Sequence, residues 1–273
     1  MSEVLAGEPP APVSALSYLG GQIKYQIRLL IRTSRALVSA ILLPALLLMA
    51  LKMSSDSTPA STFSYLVAGA VVFSVISIGY VTHATGLVGA REQGVLKRLR
   101  GTALPAWCYL TGRVVATLIV ALLSSAVALA VAWDVVHVHI ALSRVPALAL
   151  AVVIGTLCWA ALGTAVAGLI PRPASAWPVL SLTYLPLLFI SGVFFPATEE
   201  PAWVYRLAGW LPAQPFAALV ESGLTGSAAG VGRHVAILGA WTLAGVVLSA
   251  LTFRWLPRAG RSSAKRPVGR VTA

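Results

Sequence analysis

Seven stretches of this chain contain no Asp, Glu, Lys or Arg: 36–51, 57–90, 114–133, 145–171, 173–198, 207–220 and 234–253. A bilayer core is crossed by about 20 mostly apolar residues in a helix, with a range of roughly 17–25. Most of these windows meet that length. Charged residues make up 10% of the chain, 20 basic and 8 acidic, against about 25% in soluble domains. So few charges cannot cover a globular surface of 273 residues. A soluble enzyme, a disordered chain and a single-pass anchor on a soluble domain are therefore excluded. An outer-membrane barrel alternates polar and apolar residues over strands of about 10 residues, whereas these runs are continuous. The expected fold is an all-α polytopic membrane protein.

The first window is short, but Arg35 and Lys52 can snorkel outward at its ends. The window 207–220 contains Gly209, Pro212, Gln214 and Pro215. As a full span it would expose unpaired backbone to lipid, so it reads as a pair of short interfacial or re-entrant helices. Six spans remain, with both termini on one side. That side holds sixteen of the twenty basic residues: Lys24, Arg28, Arg32 and Arg35, then Arg91, Lys97, Arg98, Arg100 and Arg113, then Arg172, then six in the tail. Lys52, Arg144, Arg206 and Arg233 face the other way. The positive-inside rule then places both termini in the cytoplasm of a plasma-membrane protein. The net charge of +12 is accounted for by topology. No basic face with interleaved stacking aromatics is left for nucleic acid.

Residues 1–15 form a disordered, acidic, proline-rich lead with no basic region ahead of an apolar core, so no cleavable signal is expected. Over 16–35, Leu16, Leu19, Ile23, Ile27 and Leu30 recur at helical spacing beside a stripe of Lys24, Arg28, Arg32 and Arg35. This predicts an amphipathic helix in the membrane interface; the alternative is an extension of the first span. The six-span domain covers 36–256, and a basic tail covers 257–273. Pro44 is expected to kink the first span. The glycines of the second span and Gly155, Gly163 and Gly168 of the fourth are expected to allow close helix packing. His83, near the end of the second span, reads as a packed or interfacial residue. Trp203, Tyr205, Trp210 and Phe216, in the outer segment 197–233, suit the headgroup level. Cys108 and Cys158 read as free thiols at different depths.

The loop 91–113 reads REQGVLKRLRGTALPAWCYLTGR. Val95, Leu96 and Leu99 can share one helical face, with Lys97, Arg98 and Arg100 on the others and Pro105 closing the helix. Glu92 is placed near the N-terminal end of this short helix, where a negative charge suits the dipole. The bland reading is a solvated positive loop; the functional one is a docking element for a cytoplasmic partner. The chain has no phosphate-binding loop of its own and no Gly-Lys dipeptide. It has no H-E-x-x-H, no G-x-S-x-G and no Cys/His framework. Asp134, His137 and His139 are three scattered ligands with no further pair at zinc-like spacing, so no metal is expected. The predicted spans lack Asp, Glu, Lys and Arg, which ion-coupled carriers use at mid-membrane depth. Energy for uphill transport would then come from another polypeptide.

These motifs, in this order and at these depths, resemble the membrane subunits of ABC-2 type exporters, most of all the drug and antibiotic-resistance branch. The resemblance rests on Arg91-Glu92-Gln93-Gly94-Val95-Leu96-Lys97-Arg98-Leu99-Arg100-Gly101-Thr102, then Tyr109-Leu110-Thr111-Gly112-Arg113. It continues in Ser191-Gly192-Val193-Phe194-Phe195-Pro196, Trp203 and Leu211-Pro212. The family often has proline where Ala103 stands. The resemblance implies a connecting helix at the N-terminus. It also implies a coupling helix built on Glu92, Gly94, Leu96, Lys97, Arg98, Leu99 and Arg100 that seats in a separate ATPase subunit. It implies two six-span copies, identical or similar, with ATP and magnesium on the partner and no cofactor on this chain. An amphipathic small molecule, an antibiotic or drug, would pass between the copies. The resemblance assigns no lining residues. The other readings are export of a lipid or glycan, a secondary transporter, and a membrane assembly protein that transports nothing.

Overall fold

The computed structural model describes residues 15–32, 60–95, 98, 106–136, 140–191 and 202–252. The predicted first span at 36–51, His137 and His139, and the tail 257–273 lie outside them. The described residues are helical, with no strand among them. Helix α1 covers Ala15–Arg32, α2 Ala60–Ile76 and α3 His83–Glu92, the last two joined by a π-helical segment at Ser77–Thr82. Helix α4 covers Ala106–Val136, α5 Val145–Leu169, α6 Ala176–Ile190, α7 Ala202–Ala208, α8 Ala213–Thr225 and α9 Val231–Thr252. Among the described residues, five helical segments are long and apolar enough to cross a membrane: Tyr65–Glu92, Trp107–Asp134, Leu142–Leu169, Pro173–Ile190 and Val231–Thr252. They coincide with the predicted second to sixth spans. The short helices α7 and α8 occupy the segment between α6 and α9, where prolines and Gln214 argue against a span.

Helix α5 is the hub, packed against α2, α3, α4, α8 and α9. Lipid tails are as apolar as leucine, so helices in a bilayer associate by close van der Waals packing rather than by expelling water. The glycines of α5 provide that closeness on three sides. At Gly163, a β-carbon would lie 3.0 Å from the Tyr80 carbonyl oxygen of the π segment. At Gly168, it would lie 2.7 Å from the Thr252 carbonyl of α9. At Gly155, it would strike the Phe216 ring of α8. Gly245 of α9 reciprocates, 2.9 Å from the Leu162 backbone nitrogen by the same measure. The small residues singled out in the fourth span are thus its contact surfaces.

The seat at Gly155 changes the reading of Phe216. It is not a headgroup aromatic but a fully buried core side chain. Trp203 and Trp210 do stay largely exposed. Trp210 is tied to α9: its carbonyl accepts the Trp241 indole N–H at 2.8 Å, and the Arg233 guanidinium lies 5.9 Å from its ring centre.

The π segment fixes the middle of the bundle. A π turn inserts an extra residue into a helix and re-aims the side chains beyond it. Here the turn sets Tyr80 between spans. Its ring meets Trp159 of α5 edge-on at 5.6 Å, and its hydroxyl lies 2.7 Å from the Thr183 hydroxyl of α6. Gly79 sits opposite Trp159, with room for no more than a tight β-carbon at 3.3 Å. Cys108 and Cys158 are both buried and unpaired.

Because Gly163 faces backbone, Gly163→Leu should force α5 and the π segment apart and cost about 1–3 kcal/mol, typical of overpacking. Gly239→Leu, at an exposed site of α9 with nothing within 4 Å, should leave stability nearly unchanged. Thermal unfolding of the two variants in detergent checks the contrast.

Candidate functional site

The loop between the second and third spans leaves the bundle from α3 and returns through α4. At the exit, Arg91 stands in the last turn of α3 but turns inward. It is 8% exposed, and its guanidinium donates to the carbonyls of Ala167, at 3.3 Å, and Ile170. These carbonyls end α5. The last carbonyls of a helix have no partner within it and carry the negative end of its dipole. A cation there satisfies both conditions and makes burial of the charge tolerable.

At the return, Arg113 lies in the second turn of α4 and is 3% exposed. One guanidinium nitrogen donates to the Gln26 side-chain oxygen of α1 at 3.2 Å, and another to the His83 carbonyl at 3.0 Å. The guanidinium fills the space beside Gly86, where a β-carbon would lie 2.0 Å from it. Gly86 is therefore a hole that Arg113 occupies. The His83 ring, one turn earlier, bridges two spans. Its Nδ1 is 3.0 Å from the Thr117 hydroxyl of α4, and its Nε2 is 3.0 Å from the Thr164 hydroxyl of α5. Gln26, Arg113, His83, Thr117 and Thr164 are all buried. Together they tie α1, α3, α4 and α5 into one polar node at the end of the bundle that carries the loop.

Between these anchors the chain turns outward. Glu92 is the last residue of α3, so it closes the second span's helix and does not open the docking helix. Gln93 comes next, and Gly94 takes a left-handed conformation at φ +68°, which a residue without a β-carbon adopts without strain. The Gly94 carbonyl accepts the Arg98 amide N–H at 3.0 Å, a helical i→i+4 bond that starts a new turn directly after the glycine. The Arg98 guanidinium reaches back to the Gln93 carbonyl at 3.3 Å. Glu92, Gln93 and Arg98 are exposed, while Val95 packs against the core. Leu96, Lys97, Leu99 and Arg100 lie outside the described residues.

The centre of the buried face of the N-terminal helix is Gln26, 1% exposed. Lys24, Tyr25 and Arg28 face outward. The helix packs along α4, where Gln22 covers Gly112 closely enough that a β-carbon there would sit 2.8 Å from it. Sequence reasoning counts Arg91 and Arg113 as solvated loop charges, and passes over Gln26, Thr117 and Thr164. One signal is present: both arginines stand at the edges of apolar runs, where a charge must find a partner or leave the bilayer.

The ABC-2 type transporter family matches residues 22–224, from within α1 to the end of α8. The chain belongs to the ABC-2 type transporter family. It is the membrane-spanning permease subunit of such a transporter, a multi-pass and non-catalytic part, and the family implies a partner ATP-binding subunit. No curated protein matches the chain. In the permease, the segment of the family match between the second and third spans is the one bracketed by the two buried arginines.

A double-mutant cycle on Gln26→Ala and Arg113→Ala should return a coupling of about 1–3 kcal/mol, since each truncation strands the other's buried group. Chemical denaturation in detergent measures it. The same variants should expose α1 to limited proteolysis.

Proposed function

We propose that this permease forms the membrane half of an exporter that moves an amphipathic small molecule, an antibiotic or drug, out of the cell. Two six-span copies pair, identical or closely similar, and two separate ATPase chains bind ATP and magnesium on the cytoplasmic side of the plasma membrane. The observation that carries this reading is the loop after the second span. Its exposed turn, Glu92, Gln93 and Arg98, stands between two arginines locked into the bundle. A force on that turn reaches α5 through Arg91 and reaches α1, α3 and α4 through Arg113. The docking contacts would come from Glu92, Gly94 and the 96–100 segment, which carries Leu96, Lys97, Arg98, Leu99 and Arg100.

The fifth span supports the pairing of copies. Helix α6 leaves Trp177, Leu182 and Phe189 exposed, with Pro186 inside it. Helix α9 leaves only aliphatic side chains exposed among its large apolar residues: Leu243, Val246, Val247, Leu248 and Leu251. An aromatic and proline-bearing face suits a ligand path or a partner, and an aliphatic face suits lipid. Closure of the ATPases drives export only if its contacts with the permease differ between inward- and outward-open states. The loop, firm at its base and exposed at its tip, is where such contacts would be made.

The test uses the permease co-purified with its ATP-binding partner subunit. Glu92→Ala combined with Arg98→Ala should lower substrate-stimulated ATP hydrolysis roughly tenfold or more, the loss of one or two charge-assisted contacts. An unchanged rate rejects the assignment. Both native cysteines are buried, so Gln93→Cys provides a single accessible thiol. A membrane-impermeant reagent should label it only in opened cells.

A further inference from the structure

At the end of the bundle opposite the loop, α5 begins, α8 ends and α9 begins. Between them lies a partly open cavity of about 310 Å³, at the lower end of the roughly 300–1,000 Å³ of small-molecule sites. Its body is hydrocarbon, with Leu150 and Ile154 from α5 and Val235 from α9. Its polar groups are Ser222 of α8, whose hydroxyl donates to the Ala218 carbonyl, and Ser143, Arg144 and Ser227 from the turns at the helix ends.

Arg144 is held in place. Its guanidinium donates to the Leu224 carbonyl in the last turn of α8 at 2.6 Å. It also lies against Gly226, the residue at φ +80° that ends α8, where a β-carbon would approach it to 3.1 Å. A carbonyl satisfies one donor but does not neutralise the charge. A fixed guanidinium therefore faces the polar end of an apolar cavity, just where a spanning helix starts, the depth of lipid headgroups.

We infer that this cavity binds an anionic phospholipid of the leaflet opposite the loop, its phosphate on Arg144 and one acyl chain along Leu150, Ile154 and Val235. The planar fork of arginine matches phosphate oxygens, and basic pockets between spanning helices recognise anionic headgroups. The hydroxyls of Ser143 and Ser227 add donors beside the phosphate. Leu150 is 59% exposed and the outer face of α9 is aliphatic, so the cavity opens among side chains suited to acyl chains. The site is separate from the loop and its partner, and it does not depend on the coupling assignment.

The experiment uses the purified, delipidated full-length permease and native mass spectrometry. Phosphatidylglycerol and phosphatidylcholine with identical chains, and inorganic phosphate, are added in turn. Phosphatidylglycerol should be retained on the order of tenfold more strongly than phosphatidylcholine, the value of a charge-assisted contact. Arg144→Gln should abolish the preference, and Arg144→Lys should keep part of it. Ala147→Trp fills the cavity while leaving the guanidinium, and should weaken retention of both lipids; it covers the case in which Arg144→Gln fails to fold. Equal retention of the two lipids by the wild type, or protection by inorganic phosphate as strong as by lipid, overturns the proposal. So does an Ala147→Trp variant that retains lipid but loses self-association, which would make the cavity an interface between copies.

Discussion

Helices in a bilayer gain nothing by hiding leucine from lipid, so this bundle stands on how near its backbones come to one another. Helix α5 is where they meet. Gly163 admits the backbone of the second span, Gly168 admits that of the sixth, and Gly155 admits a phenyl ring from α8. The contacts differ in partner but share one physical basis, the missing β-carbon. Once α5 is fixed, the second, third and sixth described spans take their places around it, and the fifth leans on the second. The π segment then adjusts the second span so that Tyr80 can touch both α5 and α6.

The second constraint is electrostatic and confined to one end. Arg91 and Arg113 flank a loop that looks solvated in sequence, yet both are buried and their described hydrogen bonds run to oxygens of other helices. Removing Arg91 would leave the end carbonyls of α5 without their donor, and removing Arg113 would strand the buried Gln26 oxygen, which costs more than the bond itself is worth. The end of the permease that carries the loop is therefore stiff at its base, while Glu92, Gln93 and Arg98 between the arginines are exposed.

Much of this is legible in the chain. Runs without charge locate five described spans, and Gly209, Pro212 and Gln214 mark the short helices between the last two. The glycines of the fourth span are recognisable as packing surfaces. What escapes is long-range. Charge counting treats each arginine as hydrated, and nothing near Arg91 in sequence announces the orphan carbonyls of Ala167 and Ile170 that accept it. Phe216 looks like a headgroup aromatic because its seat, Gly155, is 61 positions earlier. Gln26 is a polar residue at the edge of the apolar face of α1, beside Leu19, and nothing near it in sequence announces Arg113 as its partner. Dipole grounds give Glu92 to the docking helix, whereas the second span's hydrogen bonding runs on through it and stops only at Gly94.

The guanidinium lodged beside Gly86 works like a key in a slot. Twisting the second span about its own axis would carry a neighbouring, bulkier residue into that slot and drive the key out. Sliding or tilting the second and third spans together leaves it seated. Any motion that keeps the guanidinium seated therefore carries those two helices as a pair, with the N-terminal helix carried along through Gln26.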